Sequence, residues 1–248
     1  MVKRIFKSAW LISLVFSQAV IANTTDQTSV SLSQAQRILE YIDQGRAAKS
    51  PFQVRLKIIK QTDQTSFSYR LVDDGKSRSV LYFLDKHQRG QKVLATEDET
   101  WFFSNRTRRA IKIPAVQTLF GDASIGDIAR IRFSADYAPT SLEQDDELTT
   151  LSLSSKHPAA TYQAVVLTLN RANNLPQQAK FFAASGKHLK TADFTEVSVE
   201  QGIPVIHEWK LYSPDNKHSA TIVQSSDFEE ISVPAVAFTK PYLELTAK

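Results

Sequence analysis

Five histidines, His87, His157, His188, His207 and His218, are the side chains of this sequence best suited to acid–base or metal chemistry near neutral pH. No two of them stand at His-x-His or His-x-x-x-His spacing. The chain has no cysteine, so only carboxylates could complete a zinc site and no metal centre is expected. The acidic run Asp145-Asp146-Glu147 follows Gln144 and precedes a strand-like stretch, the pattern of a solvated loop rather than of a catalytic acid pair. Gly-x-Ser-x-Gly elbows, phosphate-cradling glycine loops and dinucleotide fingerprints are all missing, so nucleophilic and nucleotide chemistry have no home. We therefore expect no catalytic residue and no cofactor. His207 alternates with Val205, Trp209 and Leu211 and reads as a barrel histidine.

One further cluster stands out. Arg106, Arg108 and Arg109 lie beside Trp101 and Phe103, either as a solvated hairpin tip or as a basic rim facing lipid headgroups or an acidic partner. The net charge of +4 does not suggest nucleic acid, because three cations, Lys3, Arg4 and Lys7, belong to the first residues. They are followed by an apolar run from Ala9 to Val20 and by the small-residue pattern Val20-Ile21-Ala22. This is the layout of a secretory signal peptide, residues 1–22, with cleavage before Asn23. The run is shorter than the roughly 20 apolar residues of a membrane-spanning helix. Removing 22 of 248 residues leaves 226, read as one domain (23–248) with a charge of +1, exported and free in the periplasm.

The elements that must position any site follow from periodicity. Ser33 to Lys49 reads as a first helix: Ser33 and Gln36 have capping-box spacing, and Ala35, Ile38, Leu39 and Ile42 form one stripe. The polar residues before it show no apolar periodicity and are expected to be mobile. From Phe52 the period becomes two, with Phe52, Val54, Leu56 and Ile58 alternating with polar residues and Phe67, Tyr69 and Leu71 repeating the pattern. Turn signals at Asp74-Gly75, Asn173-Asn174, Ser185-Gly186 and Pro214-Asp215-Asn216 separate further strand-like runs. Val80 to Leu84 and Trp101 to Phe103 offer apolar side chains to both faces, so one face lines either a cavity or more core. Residues 115–130 mix Leu119, Phe120, Ile125 and Ile128 with glycines and acids, and are expected to form short helices. The count comes to about 11 strands, one antiparallel sheet that must curl or partly close.

Three stretches resemble the LolA-like family of outer-membrane lipoprotein-sorting proteins, in its wider periplasmic branch. They are Trp101-Phe102-Phe103 through Arg108-Arg109 to Ile113; Gly121-Asp122-Ala123-Ser124-Ile125-Gly126-Asp127-Ile128-Ala129-Arg130; and Leu175-Pro176 through Phe181-Phe182, Gly186-Lys187 and Leu189-Lys190-Thr191 to the closing Phe238-Thr239-Lys240-Pro241-Tyr242-Leu243. The resemblance implies a mainly β fold of the α+β kind: a half-open antiparallel barrel whose capping helices enclose an apolar cavity. It implies a carrier of acylated cargo, a lipoprotein or lipid, working as a monomer between an inner-membrane transporter and an outer-membrane acceptor, without catalysis. On this reading Tyr82, Leu84, Trp101, Phe103, Trp209 and Leu211 line the cavity, and Leu119, Phe120, Ile125 and Ile128 form the lid. The alternatives are a regulatory half-barrel that binds a protein partner, and an enzyme acting on envelope lipid or glycan. A register error of one residue would exchange the cavity face for the outer one.

Overall fold

A computed structural model of the chain describes residues 19–45 and 50–245, with side chains from Ser31 onward. Most of the expected signal peptide, residues 1–18, lies outside the described residues, as do residues 46–49 of the expected first helix. That helix, α1 (Ala19–Asp43), begins well before Ser33, so Ser33 sits inside it and not at its start. Its periodicity reports only the turns that pack: Ala35, Ile38, Leu39 and Ile42 are buried. The polar residues expected to be mobile are helical here.

Strands β1 (Phe52–Lys60), β2 (Ser66–Asp73), β3 (Ser79–Phe83), β4 (Lys92–Ala95), β5 (Thr100–Ser104) and β6 (Arg109–Lys112) form an antiparallel meander. After two short strands, β7 (Thr118–Phe120) and β8 (Ala123–Ser124), a second meander is made by β9 (Tyr137–Gln144), β10 (Leu148–Ser155), β11 (Ala164–Asn170), β12 (Pro176–Phe182), β13 (His188–Glu200), β14 (Ile203–Tyr212) and β15 (Thr221–Glu230). The two meanders join where β1 pairs with β15, giving one 13-stranded sheet with β6 and β9 at its edges. The expected count of about 11 is too low, because short strands such as the wholly buried β4 carry no alternation to read. The four predicted turns all fall between strands.

The edges β6 and β9 do not pair, so the barrel stays half open. Residues 113–136 run from one edge to the other and must cross the open side. They are placed as a lid would be: the small hairpin β7–β8, then α2 (Ile125–Ala129) and α3 (Phe133–Asp136). The expected short helices are thus found only in its second half. Residues 118–124 pair as strands instead, with Leu119 and Phe120 packed on the core. Helix α1 lies against β9, β14 and α3. The buried Asp43 at its end accepts hydrogen bonds from the Phe133 and Ser134 amides, at 3.1 and 2.6 Å, satisfying donors that α3 leaves free.

Two apolar clusters result. The larger fills the concave side and joins α1 and α2 to Leu56, Ile58, Tyr69, Leu71, Leu81, Phe83, Leu151, Leu167 and Trp209. The smaller covers the outer face of β2 to β6, where Val72, Val80, Leu94 and Phe103 lie beneath a C-terminal strap carrying Phe238 and Leu243. The strap is a 3₁₀ turn (Ala235–Phe238) followed by α4 (Lys240–Leu245), and Glu244 accepts the Ala110 amide of edge strand β6 at 2.9 Å. Strands β3 and β5 are therefore apolar on both faces because both faces are core.

Candidate functional site

The lid is bolted to the barrel by polar side chains. Asp127 of α2 is buried and accepts hydrogen bonds from the Ser124 amide (2.8 Å), the Tyr162 hydroxyl (2.7 Å) and Lys190 Nζ (2.5 Å). Ser124 Oγ donates to Asp127 and caps α2 in return, a capping box closed on itself. Burial, and next the Asp127 charge, raise the Tyr162 phenol above its usual range, so it stays a donor. Thr221 Oγ1 accepts the Asp122 amide at 2.7 Å. The two glycines of this segment allow the contact: a Cβ at Gly121 would lie 2.2 Å from Thr221 Oγ1, and one at Gly126 would lie 2.3 Å from the Thr161 methyl.

Between this lid and the concave sheet lies a cavity of about 320 Å³. Its apolar wall comes from Phe52, Val54 and Leu56 of β1, Leu71 of β2, Ile128 of α2 and Trp209 of β14. The pairs Val54 with Leu71 and Leu56 with Tyr69 place the β1 and β2 residues on one face. Asp73, Arg130 and Arg132 also border the space. Both Asp73 oxygens lie 2.7 Å from Arg132 Nη2, so that charge is closed within the wall. Burial pushes Asp73 above the usual carboxylate range, and Arg132 only partly offsets this.

The residues expected to line the cavity divide. Trp209 borders it, and Leu211 lies in the same core one pleat away without reaching it. Tyr82, Trp101 and Phe103 belong to the outer cluster under the strap, and Leu84 follows the end of β3, half-buried, its amide bonded to Ser68. Their neighbours Leu81, Phe83 and Phe102 point to the concave core. This is the one-residue exchange that alternation leaves open when both faces are apolar. Of the four residues expected in the lid, Ile125 and Ile128 are buried, Leu119 and Phe120 are half-buried, and Ile128 reaches the cavity, as do its neighbours Ala129 to Arg132. Arg106, Arg108 and Arg109 are exposed at the β5–β6 hairpin and do not border it. The unforeseen wall is β1, whose alternation marked a half-buried strand without showing that its inner face meets a space.

His207 borders the cavity too. Its Nε2 lies 2.8 Å from Ser198 Oγ and 3.1 Å from Glu200 Oε1. Serine and acid meet the same ring nitrogen, whereas a catalytic triad needs the acid on the other one to orient the ring. The cluster is a polar rim in form. Among the described residues no group of His, Asp and Glu could hold a metal ion, and no helix is long and apolar enough to cross a membrane.

A family model described as an uncharacterized protein family matches residues 75–245. The structure is similar to that of a LolA superfamily protein from Nitrosomonas europaea, at 28% identity and a TM-score of 0.73, covering 84% of this chain and 98% of that one. The chain belongs to the LolA-like family. A putative outer membrane lipoprotein-sorting protein domain from Vibrio parahaemolyticus shares the LolA-like fold at 15% identity, with a TM-score of 0.68 and 87% and 99% of the two chains covered. So does a DUF1329 family protein from Desulfovibrio piger, at 16% identity, a TM-score of 0.66 and 86% and 99% coverage. No curated protein matches the sequence. Within this LolA-like chain, the distinctive segment from Gly121 to Arg130 is the one that latches the lid.

Proposed function

We propose that this LolA-like chain is an exported periplasmic carrier that holds the acyl part of a hydrophobic cargo, a lipid or an acylated protein, and moves it toward the outer membrane without chemistry. The cavity under the latched lid carries the reading: its wall is apolar side chains from five strands and α2, and its charges are largely paired. Exposing an acyl chain to water costs about 0.8 kcal/mol per methylene, so a soluble carrier must supply matching apolar surface. A half-open barrel supplies it along the inward residues of each strand. The signal-peptide pattern of residues 1–22 supports export, and an inner-membrane donor and an outer-membrane acceptor are the partners such a carrier needs.

Native mass spectrometry of protein purified from periplasm without detergent tests this. Acylated adducts are expected, lost on Val54→Trp, which fills the cavity with an apolar ring, and that variant should bind a fluorescent fatty acid at least tenfold more weakly. Protein that carries no adduct and refuses the probe would sink the reading.

A further inference from the structure

Most cavity walls in a sheet are built from alternate residues, because only one face of a strand meets the space. Here Val205, Ile206 and His207 of β14 are consecutive and all border the cavity, and so do residues 225–228 of β15. Consecutive residues meet a space where a strand presents its edge, as along β14, or where a bulge breaks the alternation, as at Asp227 of β15 (φ 54°). The pairing agrees: β14 and β15 are laddered from Glu208–Gln224 to Leu211–Thr221, and the ladder stops there. Beyond that point β15 continues on β1, while β14 continues on β13. What links the two strands past the split is Ser225 Oγ, which donates to the Ile206 carbonyl at 2.8 Å and lies 3.5 Å from that of His207. The sheet is slit at its middle, and the cavity runs into the slit.

The arm of the β13–β14 hairpin beyond the ladder, which touches the end of α1 where Gly45 meets Pro204, has its own pivot. Register shifts occur on either side of Glu196, which faces Glu208, so the bulge sits where the ladder to β15 ends. Beyond it the arm carries exposed Val199 and Ile203, and Phe228 across the slit is exposed as well. The polar rim of Ser198, Glu200 and His207 stands on this arm.

The volume sets the size of guest. At about 30 Å³ for each water-sized group, a cavity of about 320 Å³ has room for on the order of ten methylenes, the size of one medium-length chain. Building on the carrier reading, we propose that the cargo is a single-chain amphiphile that enters sideways through the slit between β14 and β15, its chain in the cavity and its head at Ser198, Glu200 and His207.

The chain has no cysteine, so Val205→Cys/Ser226→Cys offers a unique thiol pair across the slit. The variant bridged by a short bismaleimide is compared with the same variant capped by N-ethylmaleimide, the products verified by mass and circular dichroism. Uptake of a medium-chain fluorescent fatty acid should be at least tenfold slower in the bridged form, and Val205→Trp, which narrows the slit without a cross-link, should slow it likewise. Equal uptake by bridged and capped protein would overturn the route. Wild-type protein should saturate at one lysophospholipid per chain and take diacyl phospholipid or a triacylated peptide at least tenfold less tightly; equal affinity for these would overturn the cargo class. Wild-type protein that takes up no acyl probe at all fails at the earlier step, the carrier reading itself.

Discussion

At the scale of single residues, the lid hangs on one buried carboxylate. Asp127 is matched by Lys190 on β13 and by Tyr162 ahead of β11, so removing the lysine leaves a buried charge with less compensation. Lys190→Met should cost about 3–5 kcal/mol in urea unfolding, and much of that should return in Lys190→Met/Asp127→Asn, where no charge is left to bury. An unchanged midpoint for the single variant would remove the latch from the account. Asp136 carries a different consequence. Burial raises its pKa above 3.8, and the Arg132 amide and the nearby Arg130 and Arg132 charges do not bring it back. A carboxyl raised in the folded state favours folding below 3.8, and that contribution fades as pH climbs through the folded value, so the ionised group weighs against stability at neutral pH. Asp136→Asn keeps an acceptor for the Arg132 amide. It should melt above wild type at neutral pH, with the gap closing as pH falls toward the ordinary carboxylate range; a gap that widens on acidification would reverse the assignment.

At the scale of elements, alternation made β1, β10, β11 and β14 legible, because each buries one face more deeply than the other. It could not say which face of β3 and β5 looks inward, since both are buried. The side chains that decide this belong to a strap more than 130 residues later, where Glu244 meets Ala110. Nor could it show the slit, which arises from the bulge at Glu196 and from β15 switching partners, events of pairing and not of composition. The lid was legible as a break in period but not as a hairpin, because Leu119 and Phe120 are held by the core and by Phe67, whose ring meets Phe120 edge-on at 4.7 Å. The strap gives a prediction at this scale. Leu243 is 2% exposed, and Leu243→Ala should cost about 2–5 kcal/mol by opening a void. Because the strap covers the outer face, acyl binding by the folded fraction should be unchanged. Weakened binding at full folding would mean that the outer cluster, with Trp101 and Phe103, belongs to the site after all.

At the scale of the whole molecule, the topology explains why one chain holds both a wall and a door. Two meanders meet along β1 and β15, so the first and last strands lie at the centre of the sheet and the edges fall on strands flanking the lid. Closing the barrel by pairing β6 with β9 would leave the lid nowhere to cross, and leaving it open without a lid would expose the core. Residues 113–136 resolve both demands, and the Lys190–Asp127 pair fixes them in place. A guest that fills the space beneath adds apolar contacts shared by β1, β2, β14 and α2, elements far apart in sequence, so binding should stabilise the fold as one unit. A ligand bound only by the folded state at a hundredfold its Kd contributes about 2.7 kcal/mol. For a domain of this size that corresponds to a rise in Tm of about 5–10 °C. Differential scanning calorimetry with a medium-chain fatty acid should show a single transition displaced upward by that amount, and no displacement in Val54→Trp, where the ring already occupies the space. A shift of equal size in both proteins would locate the acyl chain somewhere other than the cavity under the lid.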